Sequence, residues 1–158
     1  MFLKTQTELI WKLKMSKKKK EKTTEEKNYI GIDYGDTNIG VAIGKNGFVT
    51  PLKIINARNQ NAAISELIRL GLENKAEAFV VGIPLTAEGK ETAQSLKNRH
   101  FSKLLRILSK KPVLFVNEEG TTQEALKNLT DMEMPRKRRN YSDDVAAGII
   151  LKRFFQES

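Results

Sequence analysis

No cysteine occurs anywhere in the 158 residues. Disulfides, thiolate metal sites and cysteine nucleophiles are therefore excluded. The single histidine, His100, rules out a zinc site of the HExxH kind and leaves little room for a Ser-His-Asp triad. No apolar run approaches the ~20 residues of a membrane-spanning helix, so a soluble protein without membrane partners is expected. Internal repeats are absent too, which excludes the solenoid and propeller architectures.

Positive charge is in excess. Lys plus Arg number 28 against 19 Asp plus Glu, a net charge of +9. A surplus of that sign suits a polyanionic partner such as nucleic acid. It is unevenly spread, since residues 1–28 hold nine lysines and four glutamates, more than half of the imbalance. The run over residues 17–22 has no apolar side chain to bury and is expected to be disordered. Before it, Phe2, Leu3, Leu9, Ile10, Trp11 and Leu13 suit one or two amphipathic turns. A secretory signal needs a continuous apolar stretch and a small-residue cleavage site, and this segment has neither; the lack of arginine and the presence of Glu8 speak against a mitochondrial presequence. Met15 opens the lysine-rich run and would serve as a start. The expected organisation is a basic, disordered tail over residues 1–28 and one cytoplasmic domain over residues 29–158.

From Tyr29 onward the pattern is that of an α/β domain. Residues 29–33 read as a strand running into a turn at Tyr34-Gly35-Asp36, and residues 39–43 as its hairpin partner. Lys45-Asn46-Gly47 is a second hairpin signal, because Asn-Gly accepts the positive φ angles of a tight turn. A third strand follows over residues 48–55. Three strands joined by short turns form an antiparallel meander. Ala62, Ile64, Leu67, Ile68 and Leu72 recur at helical spacing over residues 61–73. Residues 78–83 are a continuous apolar run, as in a strand covered on both faces. A long helix is expected over residues 91–108, a buried strand over 112–116, a short helix over 121–129 and a polar loop over 130–141. Ser142 suits the N-cap of a last helix over residues 143–155. The order βββαβαβαα implies a mixed five-stranded sheet, with two parallel strands added to the meander and helices on both faces.

The acids fall at the ends of elements. Asp33 ends the first strand between Gly31 and Gly35, Glu118 and Glu119 follow the fifth strand, and Asp143 and Asp144 open the last helix. Ligands bind beyond the carboxyl ends of strands in open α/β sheets. Carboxylates gathered there repel one another unless a cation neutralises them, and oxygen ligands suit Mg²⁺ or Mn²⁺. Two such ions about 4 Å apart can activate water and stabilise the leaving oxygen of a phosphodiester. Spacing does not choose between Glu118 and Glu119, which point to opposite faces of an extended chain. Nor does it choose between Asp143 and Asp144 on a helix that is apolar nearly all round.

Gly31-Ile32-Asp33-Tyr34-Gly35 followed by Ile39-Gly40-Val41-Ala42 resembles the opening motif of the YqgF family. The resemblance continues through Val81-Gly82-Ile83-Pro84-Leu85, Glu88-Gly89, Gln94, Lys97, Arg99 and Phe101. It runs on through Val116-Asn117-Glu118-Glu119-Gly120-Thr121-Thr122-Gln123-Glu124-Ala125 and ends at Asp143-Asp144-Val145-Ala146-Ala147. Members of that family are described as nucleases of precursor 16S ribosomal RNA or as Holliday-junction-resolvase-like proteins. The resemblance implies an RNase H-like fold and a metal-dependent endonuclease, with two Mg²⁺ or Mn²⁺ ions held by Asp33, Glu118 and Asp143, which are also its catalytic residues. Glu119 and Asp144 are then neighbours. Three positions depart from the family's pattern. Asn38 stands where a basic residue is usual, and Asn117-Glu118-Glu119 stands where Asp-Glu-Arg is usual.

Basic side chains near these blocks are candidates for nucleic-acid contact: Lys97 and Arg99 on the second helix, and Arg136, Lys137, Arg138 and Arg139 just before Asp143. Thr121 and Thr122 suit a helix cap. His100 reads as a helix-surface residue, and Tyr34 suits either base stacking or packing beside the turn. The expected substrate is structured RNA, with maturation of the 5′ end of 16S ribosomal RNA the reaction, by a monomer or weak homodimer. The alternatives are cleavage of branched DNA, a non-catalytic binding module of the same fold, and an actin-like ATP binder suggested by Gly31–Asn38 alone. The last needs two lobes, and the chain has length for one.

Overall fold

A computed structural model describes residues 2–20, 26–119 and 143–158. The elements are α1 (Phe2–Lys20), β1 (Asn28–Tyr34), β2 (Asn38–Lys45), β3 (Phe48–Asn56), α2 (Gln60–Glu73), β4 (Ala76–Ile83), α3 (Ala93–Ser109), β5 (Val113–Asn117) and α4 (Asp143–Glu157). The expected short helix over residues 121–129, the loop over 130–141 and the Ser142 cap lie outside the described residues.

The five strands form one sheet in the order β3-β2-β1-β4-β5. β1, β2 and β3 are antiparallel neighbours, and β4 and β5 run parallel to β1. Asn46 and Gly47 at the β2–β3 turn both have positive φ, 53° and 81°, the left-handed pair that a two-residue hairpin of matching twist requires. Alternation along the strands sorts side chains onto two faces. Ile30, Ile32, Ile39, Val41, Phe79 and Val81 pack under α2 and α3, together with Leu67, Phe101 and Leu105. Ala42, Val49, Val80 and Val116 lie on the other face, under Ala147, Ile150 and Leu151 of α4. β4 is thus apolar on both sides, as its unbroken run implied.

Both helices of the first face begin on side-chain caps. The Asn59 carboxamide accepts from the Ala62 backbone N–H at 3.0 Å. Thr92 and Ser95 form a reciprocal capping box, so α3 starts at Ala93 rather than at residue 91. Thr92 also donates its hydroxyl to the Pro84 carbonyl at 2.7 Å, which ties the start of α3 to the carboxyl end of β4.

The N-terminal segment differs from expectation. In place of one or two turns followed by a disordered lysine run, a single helix extends from Phe2 to Lys20. Lysine is a good helix former when its charge is solvated, so the run prolongs the helix. Leu9, Ile10, Trp11 and Leu13 on it are all exposed. No helix among the described residues is long and apolar enough to cross a membrane.

Candidate active site

The parallel strands β1, β4 and β5 end on the same edge of the sheet, and the acids collect there. Asp33 is the penultimate residue of β1 and pairs with Gly40 of β2. It follows Gly31 by two residues, so its side chain stands on the face that α4 covers. Glu118 directly follows β5, and its backbone N–H donates to the Ile83 carbonyl at 3.0 Å, which extends the β4–β5 ladder by one step. Its carboxylate lies against Gly82: a Cβ there would stand 2.0 Å from Glu118 Oε1 and 2.5 Å from Ile150 Cδ1. Only glycine leaves that space.

Asp143 is the first residue of α4. Its backbone crosses directly over Gly40, where a Cβ would stand 1.7 Å from the Asp143 carbonyl oxygen. The missing side chain of Gly40 therefore lets the start of α4 settle beside the strand pair that carries Asp33.

The three acids feel one another. Burial, and then the nearby negative charge of Asp143, pushes the Asp33 carboxyl up to about 6. Burial, and then the charge of Asp33, pushes Glu118 up to about 7. Both are carboxylates held in partly desolvated positions next to like charge, the situation that a cation relieves. Their oxygen donors suit a hard divalent ion. Among the described residues, no three acidic or histidine side chains are already drawn together tightly enough to hold such an ion. The donor chemistry therefore fits a divalent ion, although the three carboxylates are not gathered into one coordination sphere.

The neighbouring acids occupy other roles. Asp144 is buried, and its carboxylate accepts from the Val145 backbone N–H at 3.0 Å. Glu119 offers its carbonyl to Arg153 Nη1 of α4 at 2.5 Å. Arg153 thereby brings a guanidinium to the position beside Glu118, a feature sequence spacing did not reveal.

Of the candidate contacts to nucleic acid, Lys97 reaches Asp36 in the turn after β1 at 2.9 Å, and Arg99 pairs with Glu91 at 2.6 Å. Lys97 thus points to the β1–β2 turn and Arg99 to the segment just before α3. Arg136, Lys137, Arg138, Arg139, Thr121 and Thr122 lie outside the described residues. His100 is exposed. The Tyr34 ring stacks on Phe101, with centroids 4.4 Å apart, so it packs beside the turn.

Two polar residues of α3 were also missed as parts of the site. Asn98, 1% exposed, donates from Nδ2 to the Gly82 carbonyl at 2.8 Å and accepts from Gln94 Nε2 at 2.9 Å. Gln94 Nε2 also approaches the Tyr34 carbonyl at 3.4 Å. A short polar chain thus joins the end of β1, which bears Asp33, to Gly82, which seats Glu118. Gln94 recurs in the motif pattern, but a buried asparagine four residues on has no signature until the helix is placed.

A mixed sheet of this order, with acids at its carboxyl edge and on the helix crossing it, defines the RNase H-like class of folds. Thermus thermophilus RuvC, solved in complex with a Holliday junction substrate, superimposes with a TM-score of 0.59 at 14% identity, covering 83% of this chain and 94% of that one. The fowlpox virus resolvase, solved with Holliday junction DNA, gives 0.50 at 13% identity, covering 82% and 97%. At such identities the likeness is one of fold. The sequence is more specific: residues 27–157 match the family described as "RuvX: Holliday junction resolvase", and the chain belongs to that family. A Rhodobacter capsulatus protein named "Putative pre-16S rRNA nuclease" is 32% identical over 125 residues, 77% of this chain and 79% of its own length. A Roseiflexus protein of the same name is 33% identical over 135 residues, covering 84% and 96%.

Proposed function

We propose that the chain is a divalent-metal-dependent endonuclease that hydrolyses phosphodiester bonds in structured nucleic acid, its substrate being the 5′ region of precursor 16S ribosomal RNA in the cytoplasm. The observation that carries this reading is the run of like charge from Asp143 to Asp33 to Glu118 at the carboxyl edge of the sheet, with two of the three carboxyls raised by burial and mutual repulsion. Family membership and the names of the 32–33% identical relatives support the reaction class and the RNA.

Asp33, Glu118 and Asp143 would hold Mg²⁺ or Mn²⁺, and their three carboxylates offer enough oxygens for a pair of ions. When bound, the ions supply a polarised water and stabilise charge on the leaving oxygen. The rest falls to the chain. Asp33, on a central strand, is the fixed reference of the site. Glu118 is held at its distance by the Gly82 seat. Asp143 arrives on a helix whose backbone lies against Gly40. A cluster of acids that holds divalent ions suits direct attack by water on the phosphorus, without a covalent enzyme intermediate. Arg136, Lys137, Arg138 and Arg139 precede Asp143 and would meet substrate phosphates, joined by Lys97 and Arg99. The basic segment over residues 1–28 would add affinity that does not depend on sequence.

Incubation with precursor 16S RNA and with a four-way DNA junction, in Mg²⁺, Mn²⁺ or EDTA, tests the proposal. Cleavage of the RNA at mapped 5′ positions, abolished by EDTA, is expected. Cleavage of the junction alone would reassign the substrate to DNA, and binding without cleavage in any metal would make the chain a binding module.

A further inference from the structure

On the sheet face opposite the acids, a hollow of about 290 Å³ opens between α3 and the edge strand β5, lined among the described residues by Arg99, Ser102, Lys103, Arg106, Val113 and Phe115. Four of these come from one helix at positions that share a face or adjoin it, and two from alternate positions of β5. Val113 and Phe115 form an apolar back wall, and Phe115, 44% exposed, is a large aromatic ring left open on an edge strand. The Arg99 guanidinium lies over that ring, 5.1 Å from its centroid.

The charged residues that line the hollow, Arg99, Lys103 and Arg106, are all basic. Glu91 offsets Arg99, whereas Lys103 and Arg106 have no acidic partner among the described residues. Ser102 supplies an independent pointer. It is 1% exposed, and its hydroxyl has no hydrogen-bond partner among the described residues. A buried hydroxyl without a partner costs stability, and here it sits in the wall of a cationic hollow. Cations alone would suit a solvated helix face. Cations with an open aromatic ring and an unused hydroxyl have the composition of a site for an unstacked nucleotide, its phosphate on Lys and Arg and its base on a ring or guanidinium plane.

The position is informative. Phe115 precedes Glu118 by three residues, about 10 Å along an extended strand, and β5 is the sheet edge on that side. A nucleic-acid strand leaving the acidic edge can pass over β5 and reach the hollow without crossing another element of the sheet.

We infer that this hollow is a second nucleic-acid site, which holds a single-stranded nucleotide flanking the cleaved region: phosphate on Lys103 and Arg106, a hydrogen bond from Ser102, and the base against Phe115 and Arg99. The inference rests on the reading of the chain as a nuclease, and it adds that the substrate carries a single-stranded extension next to its paired part.

Binding is measured with the full chain in EDTA, so that cleavage is not needed for the readout. The probes are a fluorescent RNA hairpin with a 5′ single-stranded extension, its blunt counterpart, and the same pair in DNA. Lys103→Gln/Arg106→Gln is expected to weaken binding of the extended RNA hairpin about tenfold while changing the blunt one less than about twofold. It should also lower the salt slope by roughly 0.7, the value for one single-strand phosphate contact. Ser102→Ala should weaken the same probe with melting temperature unchanged or raised, since it removes a buried hydroxyl without a partner. Equal loss on extended and blunt hairpins, or no loss with either variant, would overturn the site. Comparable behaviour of the DNA pair would assign the site to phosphate and base alone, whereas a preference for RNA adds the 2′-hydroxyl. Extension-dependent binding that survives when no substrate is cleaved in Mg²⁺ or Mn²⁺ would leave the site standing and remove the nuclease reading.

Discussion

Gly40 and Asp143 touch where no side chain could intervene. The strand residue paired with Asp33 lies directly beneath the first residue of α4, and a Cβ on it would stand 1.7 Å from the Asp143 carbonyl oxygen. The spacing of two acids is thereby set by the absence of a methyl group.

Gly40→Ala is expected to lift the start of α4. Overpacking of this kind costs about 1–3 kcal/mol, and a displaced Asp143 should slow cleavage about a hundredfold, as misplacement near a reacting centre does. Thermal melting and cleavage of precursor RNA measured on one preparation check both. Full activity would show that the helix tolerates the shift.

Asp33→Asn keeps volume and removes charge. Cleavage should fall at least a hundredfold in Mg²⁺ while RNA affinity changes less than about threefold. Substantial Mg²⁺-dependent cleavage by this variant would remove Asp33 from the chemistry.

The raised carboxyls give a stability signature with a definite sign. Asp33 at about 6 and Glu118 at about 7 hold protons that the unfolded chain, with carboxyls near 4, has already released. The folded state therefore binds more protons between about pH 4 and 7, and these two groups lower stability as pH rises through that window. Asp33→Asn and Glu118→Gln should each make the metal-free protein melt higher than the parent at pH 8, by about 3 °C, with the gain vanishing near pH 4. Mg²⁺ or Mn²⁺ should raise the parent's melting temperature at pH 8 and leave the variants less affected. A parent that melts higher than both variants at pH 8 in EDTA would contradict the assignment of repulsion.

Gln94 and Asn98 should separate by the size of their effects. Asn98 is buried and supplies a donor to Gly82, so Asn98→Ala is expected to cost about 2 kcal/mol. Gln94 is half-buried, and Gln94→Ala should cost less than about 1 kcal/mol yet slow cleavage roughly tenfold by loosening the link between β1 and the Gly82 seat. Chemical denaturation and single-turnover cleavage give the two quantities. A Gln94 variant with an unchanged rate would make the polar chain structural only.

Deleting residues 1–27 should flatten the salt dependence of RNA binding, because nine lysines leave with the segment. Melting temperature should change by less than about 3 °C. A larger loss would show that α1 packs on the domain.

The strand and helix order was legible because the signals were local. Asn46-Gly47 marked its hairpin, the apolar run of β4 marked a strand covered on both sides, and apolar residues at helical spacing marked α2. The site was legible as positions at element ends, but not as geometry. Asn98 and Arg153 act through bonds to the Gly82 and Glu119 carbonyls, partners 16 and 34 residues away, and no sequence window contains both ends. The N-terminal helix was underestimated because a lysine run reads as too charged to bury, while a helix that stays solvated has no need to bury it. The hollow beside β5 was invisible for a similar reason: Phe115 reads as core in a strand, and only the edge position leaves it open.

Along β1, Gly31 and Asp33 share one parity. Gly31 receives Leu151 of α4, and the alternate residues Ile30 and Ile32 are buried under α2 and α3. A slip of one residue would present isoleucines to α4 and drive the aspartate among leucines, so the pairing error that disarms the acid also dissolves the core. A copy in which β1 has slipped therefore loses its core and the placement of Asp33 together, so the native register is proofread by the same packing that positions the acid.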